Sequence, residues 1–135
     1  MDALGEKHEL FSNPQTRAAA ILTGCKNISR ALLLDDGRVR ALDWGLELKV
    51  PEGRDFDSIG IRMHDIHLGD GENAVDCVVA EELESQFSTV VMLVPEGAPG
   101  ATPIGWEMNK ERWRAIRSDR VRIHIPPEAL LLLRE

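Results

Sequence analysis

The chain contains 135 residues, of which 43% are hydrophobic, and its formal net charge is −7 at pH 7. This length suits one domain with a genuine core and is short for two. Because a phosphate backbone is bound by clustered Lys and Arg, the acidic balance argues against nucleic acid as a partner. Two widely spaced cysteines, Cys25 and Cys77, with no signal peptide and no long apolar run, predict a soluble protein of the reducing cytosol.

The first predicted element is a short helix over residues 14–23. Asn13 suits the N-cap, Pro14 the first helical position and Gly24 the C′ position. A helix of about ten residues is too short to be stable alone in water. It must therefore pack on this domain or on a partner outside the chain.

From Lys26 onward, apolar residues alternate as they do in strands. Asp36-Gly37 predicts a hairpin turn. The segment LDWGLELKV predicts one half-buried strand, residues 42–50, whose buried face includes Trp44 and for which Gly45 offers a place to bend. The segment SIGIRMHDIHL predicts a strand that bulges or ends near His64.

The second half of the chain continues the pattern. AVDCVVAEELES and STVVMLVP predict a strand pair, Asn109 a short helix, and DRVRIHIP a last strand with Val121, Ile123 and Ile125 inward. No internal repeat is evident. About six or seven short strands joined by tight turns predict a mainly β fold, either a small barrel or a sandwich.

Motifs for metal binding and catalysis are weak or absent. His64 and His67 are three residues apart, which on a strand places them on opposite faces and disfavours a shared metal ion. His8 and His124 are predicted to be ordinary surface histidines, and both cysteines to be packing residues. The sequence contains neither a nucleophile motif nor the phosphate-binding loop G-x-x-x-x-G-K-[ST], so the chain is predicted not to be an enzyme.

One group of basic residues remains. If Ile59, Ile61 and Ile123 face the core, basic residues on two strands face outward: Arg62, His64, Arg120, Arg122 and His124. Neighbouring strands would combine them into an anion-attracting ridge. The alternative is a solvated face balanced by nearby Asp and Glu.

Three segments together resemble a known family. ELFSNPQTRAAAILTGCKN resembles the junction, E-L-F-x-x-P-x-T then a short helix and G-x-x-N, that ends the ATPase domain of ABC importer ATP-binding subunits. SIGIRMHDIHL and VRIHIPPEALLLL resemble the middle and last strands of the accessory domain that follows it, the TOBE (transport-associated OB-like) domain. LTGCKNIS is most similar to the molybdate or tungstate type.

This resemblance implies a small OB-like β-barrel over residues 25–135, preceded in residues 1–24 by the terminal helix and junction of a missing ATPase domain. It implies a non-catalytic regulatory or coupling domain with no cofactor of its own, whose possible ligand is molybdate or tungstate. The implied partners are the ABC ATPase domain and the membrane permease complex, with a homodimer of the chain as an open alternative. The location would be the cytoplasmic face of the cell membrane.

Candidate ligand residues come from two sources. Related domains bind oxyanions with a pattern that resembles S-A-R-N, and the nearest match, CKNISRA, implies Lys26, Asn27, Ser29 and Arg30. Backbone amides and short polar side chains would select the anion there. The ridge adds a second pair, Arg62 and His64. The alternative function is an OB-like module for an oligonucleotide or protein partner, which the scarcity of aromatic residues disfavours.

Overall fold

A computed structural model describes residues 16–22, 24–51 and 55–134. These ranges form two curled five-stranded sheets, consistent with the predicted mainly β, OB-like barrel fold, with ten short strands instead of about six or seven. The helices and 3-10 turns are α1 (Arg17–Leu22), η1 (Met63–Asp65), α2 (Lys110–Ile116) and η2 (Pro127–Ala129). The strands are β1 (Asn27–Leu33), β2 (Val39–Ala41), β3 (Leu46–Leu48), β4 (Ser58–Ile61), β5 (His67–Leu68), β6 (Ala74–Glu84), β7 (Ser88–Pro95), β8 (Ile104–Asn109), β9 (Arg120–His124) and β10 (Leu131–Leu133).

The two sheets repeat one topology, which the sequence analysis missed. The first sheet has the order β10-β4-β1-β2-β3 and the second β5-β9-β6-β7-β8. We call β1–β4 the first repeat and β6–β9 the second repeat. In each, the fourth strand returns to pair with the first and leads through a 3-10 turn into a short fifth strand. That fifth strand joins the other sheet, because β5 pairs with β9 and β10 pairs with β4.

An asparagine at the start of each repeat fastens it to the other repeat. The amide of Asn27 donates to the Gly105 carbonyl at 2.7 Å and accepts from the Gly105 N–H at 2.8 Å. The amide of Asn73 donates to the Lys49 carbonyl at 2.9 Å and accepts from the Lys49 N–H at 2.8 Å. Gly105 lies on β8 and Lys49 follows β3, so each amide pairs with the edge strand of the opposite sheet.

The core lies between the sheets and draws on both repeats. Its largest fully buried side chains include Trp44, Ile59, Leu93, Trp106 and Ile123. The Trp106 indole N–H donates to the Ile66 carbonyl at 3.0 Å, which satisfies its buried polar atom. The shared core makes the two repeats one packed unit.

Local turn and cap signals are confirmed. The Asp36-Gly37 turn joins β1 to β2, with Gly37 at φ +86° and the Leu34 N–H bonded to the Arg38 carbonyl at 2.8 Å. The Asn109 side chain caps α2 by accepting from the Arg112 N–H at 2.7 Å.

The strand predicted over residues 42–50 is wrong in its first half. Only Leu46–Leu48 is a strand, and the segment before it is a turn closed by a hydrogen bond from the Gly45 N–H to the Ala41 carbonyl at 2.9 Å. Gly45 has φ +67°, a conformation that glycine permits and a strand does not contain. The strand through Ile61 ends before His64, as one of the two predicted alternatives requires.

Helix α1 docks on the last strand of the domain. The Arg17 N–H donates to the Arg134 carbonyl at 2.8 Å, and Ala20 packs in a small cluster with Cys25, Leu131 and Leu133. Gly24 has φ +92°, which confirms its C′ position. Asn13, Pro14 and His8 lie outside the described residues, and the division at residue 24 stays a prediction. Across the described ranges, every helix is too short or too polar to cross a bilayer.

Candidate functional site

Three of the predicted ligand residues line one cavity of about 520 Å³. Lys26 reaches it from the segment before β1, and Arg62 and His64 reach it from the turn after β4. The Asp65 N–H bonds to the Arg62 carbonyl at 2.9 Å and closes that turn. The turn after β4 therefore allows Arg62 and His64 to face the same cavity.

The opposite wall comes from the second repeat. It consists of residues at the tip of the β6–β7 hairpin and on β8: Leu83, Glu84, Ser85, Ser88, Val90 and Glu107. No local sequence pattern predicts this wall, because it forms only where the hairpin tip meets the turn after β4. Only the length of the two predicted strands, AVDCVVAEELES and STVVMLVP, hints at a projecting hairpin.

A chain of hydrogen bonds crosses the cavity wall. The Nε2 atom of His64 lies 2.8 Å from Oε1 of Glu107, and Oε2 of Glu107 accepts from the Ser88 hydroxyl at 3.1 Å. The Ser88 and Ser85 hydroxyls are 2.9 Å apart. Glu107 thus fixes the orientation of both His64 and Ser88.

The cavity is lined by both cationic and anionic side chains. Lys26 and Arg62 are cationic, while the carboxylate of Glu107 is already engaged by His64 and Ser88. Glu84 supplies a second carboxylate at the hairpin. Lysine, arginine and hydroxyl donors are the groups that bind oxyanions through charge-assisted hydrogen bonds. The arrangement can therefore hold a small anion.

The other predicted residues lie elsewhere. Asn27 is committed to Gly105, and the buried Ser29 hydroxyl donates to the Arg30 carbonyl at 2.9 Å and accepts from the Asp43 N–H at 3.0 Å. Arg30 forms an ion pair with Asp43 at 2.9 Å. Hydrogen bonds from the Arg30 side chain and backbone N–H lower the pKa of Asp43. These three residues brace β1 against its neighbours, and their role in binding stays a prediction.

The predicted basic ridge does not form, because β4 and β9 belong to different sheets. Arg122 pairs with Asp70 and, at 3.0 Å, with Asp76. Arg120 lies 3.4 Å from Glu96. The alternative, a solvated face balanced by carboxylates, is therefore confirmed for β9.

The described histidines have different surroundings, and both cysteines are packed in the interior as predicted. The His67 ring stacks on that of His124 with centroids 5.4 Å apart, whereas His64 turns to Glu107. In the part of the chain that is described, no three potential metal ligands come together. Both cysteines are buried, and burial raises the pKa of the Cys77 thiol to about 12.

Comparisons with known proteins give a fold and no family. No family model matches the chain, and no curated protein matches it in sequence. Among solved structures, the chain is similar to ModG, described as a cytoplasmic molybdate-binding protein and crystallised with molybdate bound. The TM-score is 0.63 at 12% sequence identity, over 82% of this chain and 97% of the ModG chain. At that identity, the similarity establishes that the two proteins share a fold.

Proposed function

We propose that this chain is a non-catalytic, oxyanion-binding regulatory domain whose ligand is molybdate or tungstate. The observation that carries the proposal is the convergence of Lys26, Arg62 and His64 on one cavity. The fold similarity to ModG, a molybdate-binding protein, supports the choice of ligand class.

Each cavity residue has a distinct task in this proposal. Lys26 supplies a compact positive charge, and the planar guanidinium of Arg62 can donate two parallel hydrogen bonds to neighbouring oxygens of a tetrahedral anion. Glu107 holds the Nε2 atom of His64 and thereby orients the imidazole ring at the cavity. The cavity of about 520 Å³ leaves space for bridging water around such an ion.

We propose further that the domain belongs to the ATP-binding subunit of an ABC importer, at the cytoplasmic face of the membrane. The support is the resemblance of the first segment, ELFSNPQTRAAAILTGCKN, to an ATPase junction. Ile21 and Leu22 on α1 are 62% and 79% exposed, so the helix presents an apolar side to a partner. In this context, the partners are an ATPase domain and a permease.

Calorimetric titration with molybdate and tungstate, with sulfate and phosphate as controls, tests the ligand. We expect saturable binding that Lys26→Ala and Arg62→Ala each weaken by about tenfold or more, since each removes a charge-assisted contact. Arg120→Ala is the matched control, because it removes the same charge at the Glu96 ion pair and Arg120 does not line the cavity. No binding of molybdate or tungstate, or an equal loss in Arg120→Ala, would contradict the proposal.

Gel filtration over a range of protein concentrations tests self-association. If the exposed apolar side of α1 mediates self-association, the chain should form a dimer at high concentration. Leu22→Glu should dissociate that dimer, because it places a charge on the contact. Monomeric behaviour at all concentrations would rule out an autonomous dimer contact and leave the ATPase domain as the proposed cover of this helix.

A further inference from the structure

The second repeat contains a cavity at the position that corresponds to the oxyanion cavity. Its volume is about 330 Å³, and it is lined by Gly71, Glu72, His124, Pro126, Pro127 and Glu128. Both cavities lie between the segment that enters the first strand of a repeat and the 3-10 turn that follows its fourth strand.

The 3-10 turns fix the correspondence residue by residue. The Asp65 N–H bonds to the Arg62 carbonyl at 2.9 Å, and the Ala129 N–H bonds to the Pro126 carbonyl at 3.0 Å. The residues that precede the turns are both extended, with φ −73° and −58°. Arg62 therefore corresponds to Pro126, and the middle residue of the first turn, His64, corresponds to Glu128.

The entering segments are aligned by their asparagines. Asn27 is opposite Ile61 in the β1–β4 ladder, and Asn73 donates to the Ile125 carbonyl at the matching place. Each asparagine also binds the backbone N–H and carbonyl of one residue at the edge of the opposite sheet. The preceding residues, Lys26 and Glu72, are therefore equivalent.

The packing of a larger side chain against a glycine at equivalent positions supports the same alignment. A Cβ on Gly60 would meet the Cys25 Sγ at 3.0 Å, and a Cβ on Gly71 would meet the His124 ring at 2.5 Å. Cys25 precedes Asn27 by two residues, as Gly71 precedes Asn73, and Gly60 corresponds to His124. A side chain thus lies against a glycine in both repeats, with the large and small partners exchanged.

The charges at the three equivalent positions are removed or reversed in the second repeat. Lysine becomes glutamate, arginine becomes proline and histidine becomes glutamate. The second cavity also lacks a hairpin wall, since β1 and β2 have 7 and 3 residues whereas β6 and β7 have 11 and 8. In the first cavity Lys26 and Arg62 offset two carboxylates, whereas no Lys or Arg lines the second cavity beside Glu72 and Glu128, so the second cavity repels an anion.

We infer that the chain binds one oxyanion, in the first repeat alone, and that Glu72 and Glu128 are the residues that exclude anions from the second. The inference rests on the proposed oxyanion-binding function. It identifies the charge at three equivalent positions as the determinant of how many ligands one chain holds.

The test is the stoichiometry of molybdate binding by calorimetry. We expect one equivalent for the unmodified chain, none for Lys26→Glu, and two for the triple variant Glu72→Lys, Pro126→Arg, Glu128→His. Adding Lys26→Glu to the triple variant should restore a single equivalent, now in the second cavity. Thermal melting checks that each variant is folded.

A charge-matched control removes the effect of net charge. Asp55→Lys with Glu111→Lys raises the net charge by the same four units as the triple variant, and neither residue lines either cavity. This control should bind one equivalent. Two equivalents in the unmodified chain, or one in a folded triple variant, would overturn the inference and leave the proposed function intact. No binding to the unmodified chain would overturn both.

Discussion

Asn27 and Gly105 are joined by two hydrogen bonds, from the side-chain amide of Asn27 to the backbone carbonyl and N–H of a residue 78 positions away in sequence. Gly105 lies on β8, at the edge of the second sheet, so the amide occupies the place of a neighbouring strand. Asn27 is only 6% exposed, and the contact is therefore shielded from water. A single side chain both links the two sheets and closes an edge that could otherwise pair with another chain.

Replacing Asn27 by Ala leaves the N–H and the carbonyl of Gly105 without these partners. Because buried unpaired groups are costly, we expect a loss of about 2–3 kcal/mol in the free energy of unfolding. Urea denaturation followed by tryptophan fluorescence measures it. Asn109→Ala, which removes an exposed helix cap, should cost about 1 kcal/mol. Equal losses in the two variants would refute a special role for the buried amide.

Gly60→Ala should destabilise the junction of α1 with the barrel. The new Cβ would lie 3.0 Å from the Cys25 Sγ and 3.2 Å from Leu133 Cδ1, closer than comfortable packing. Overpacking of this kind costs about 1–3 kcal/mol. Thermal melting should show a lower midpoint, whereas Gly97→Ala, whose Cβ meets no atom within 4 Å, should change little. An unchanged midpoint for Gly60→Ala would show that α1 is not firmly docked.

The buried thiols make stability fall at high pH. Burial raises the pKa of Cys77 to about 12, above the value of 9.0 for an exposed thiol. The unfolded chain therefore loses its thiol proton first, and stability from this group, complete below pH 9, declines between pH 9 and about 12. The slope should approach about 1.4 kcal/mol per pH unit and be smaller in Cys77→Ala.

Thiol labelling provides an independent check of the same burial. At pH 8, the folded chain should react slowly with a thiol reagent, while the urea-unfolded chain reacts at once. Fast labelling of the folded chain would contradict the burial of both cysteines.

Glu82 holds α2 on the second sheet through two partners. It forms an ion pair with Arg117 at 3.0 Å and accepts a hydrogen bond from the Trp113 indole N–H, and these bonds, Arg117 first, lower the pKa of Glu82. The stability from this group is present above the ordinary carboxyl pKa and is lost as pH falls through the lowered value. The melting midpoint should fall in the order unmodified, Glu82→Gln, Glu82→Ala, because glutamine still accepts from the indole. Equal midpoints for the two variants would contradict a structural role for that bond.

Local structure was predictable where a few neighbouring residues decide it. The Asp36-Gly37 turn and the Asn109 cap each depend on one side chain and the adjacent backbone, and both are present. The prediction of a strand through Trp44 was wrong because alternating apolar residues also occur in a turn that buries a tryptophan. Here the turn forms with Gly45 at positive φ.

Long-range arrangement was not predictable in the same way. The ridge required β4 and β9 to be neighbours, and no local pattern specifies which strands pair. Half of the cavity wall was missed for the same reason, since the fold alone brings Glu107 and its bonded neighbour Ser88 to the His64 side of the cavity. The duplication is hidden because equivalent positions such as Lys26 and Glu72 differ in charge while their backbones correspond.

The exchange of fifth strands ties the folding of the two halves together. The first sheet is completed only when Leu131–Leu133 reaches Ser58–Gly60 from beyond the whole second repeat. Such pairing joins residues far apart in sequence, so its cost in loop-closure entropy is high and it should form late in folding. An isolated half of the chain would expose a sheet that lacks its fifth strand. The domain should therefore unfold in one cooperative transition, and a break between the repeats would abolish the folding of both.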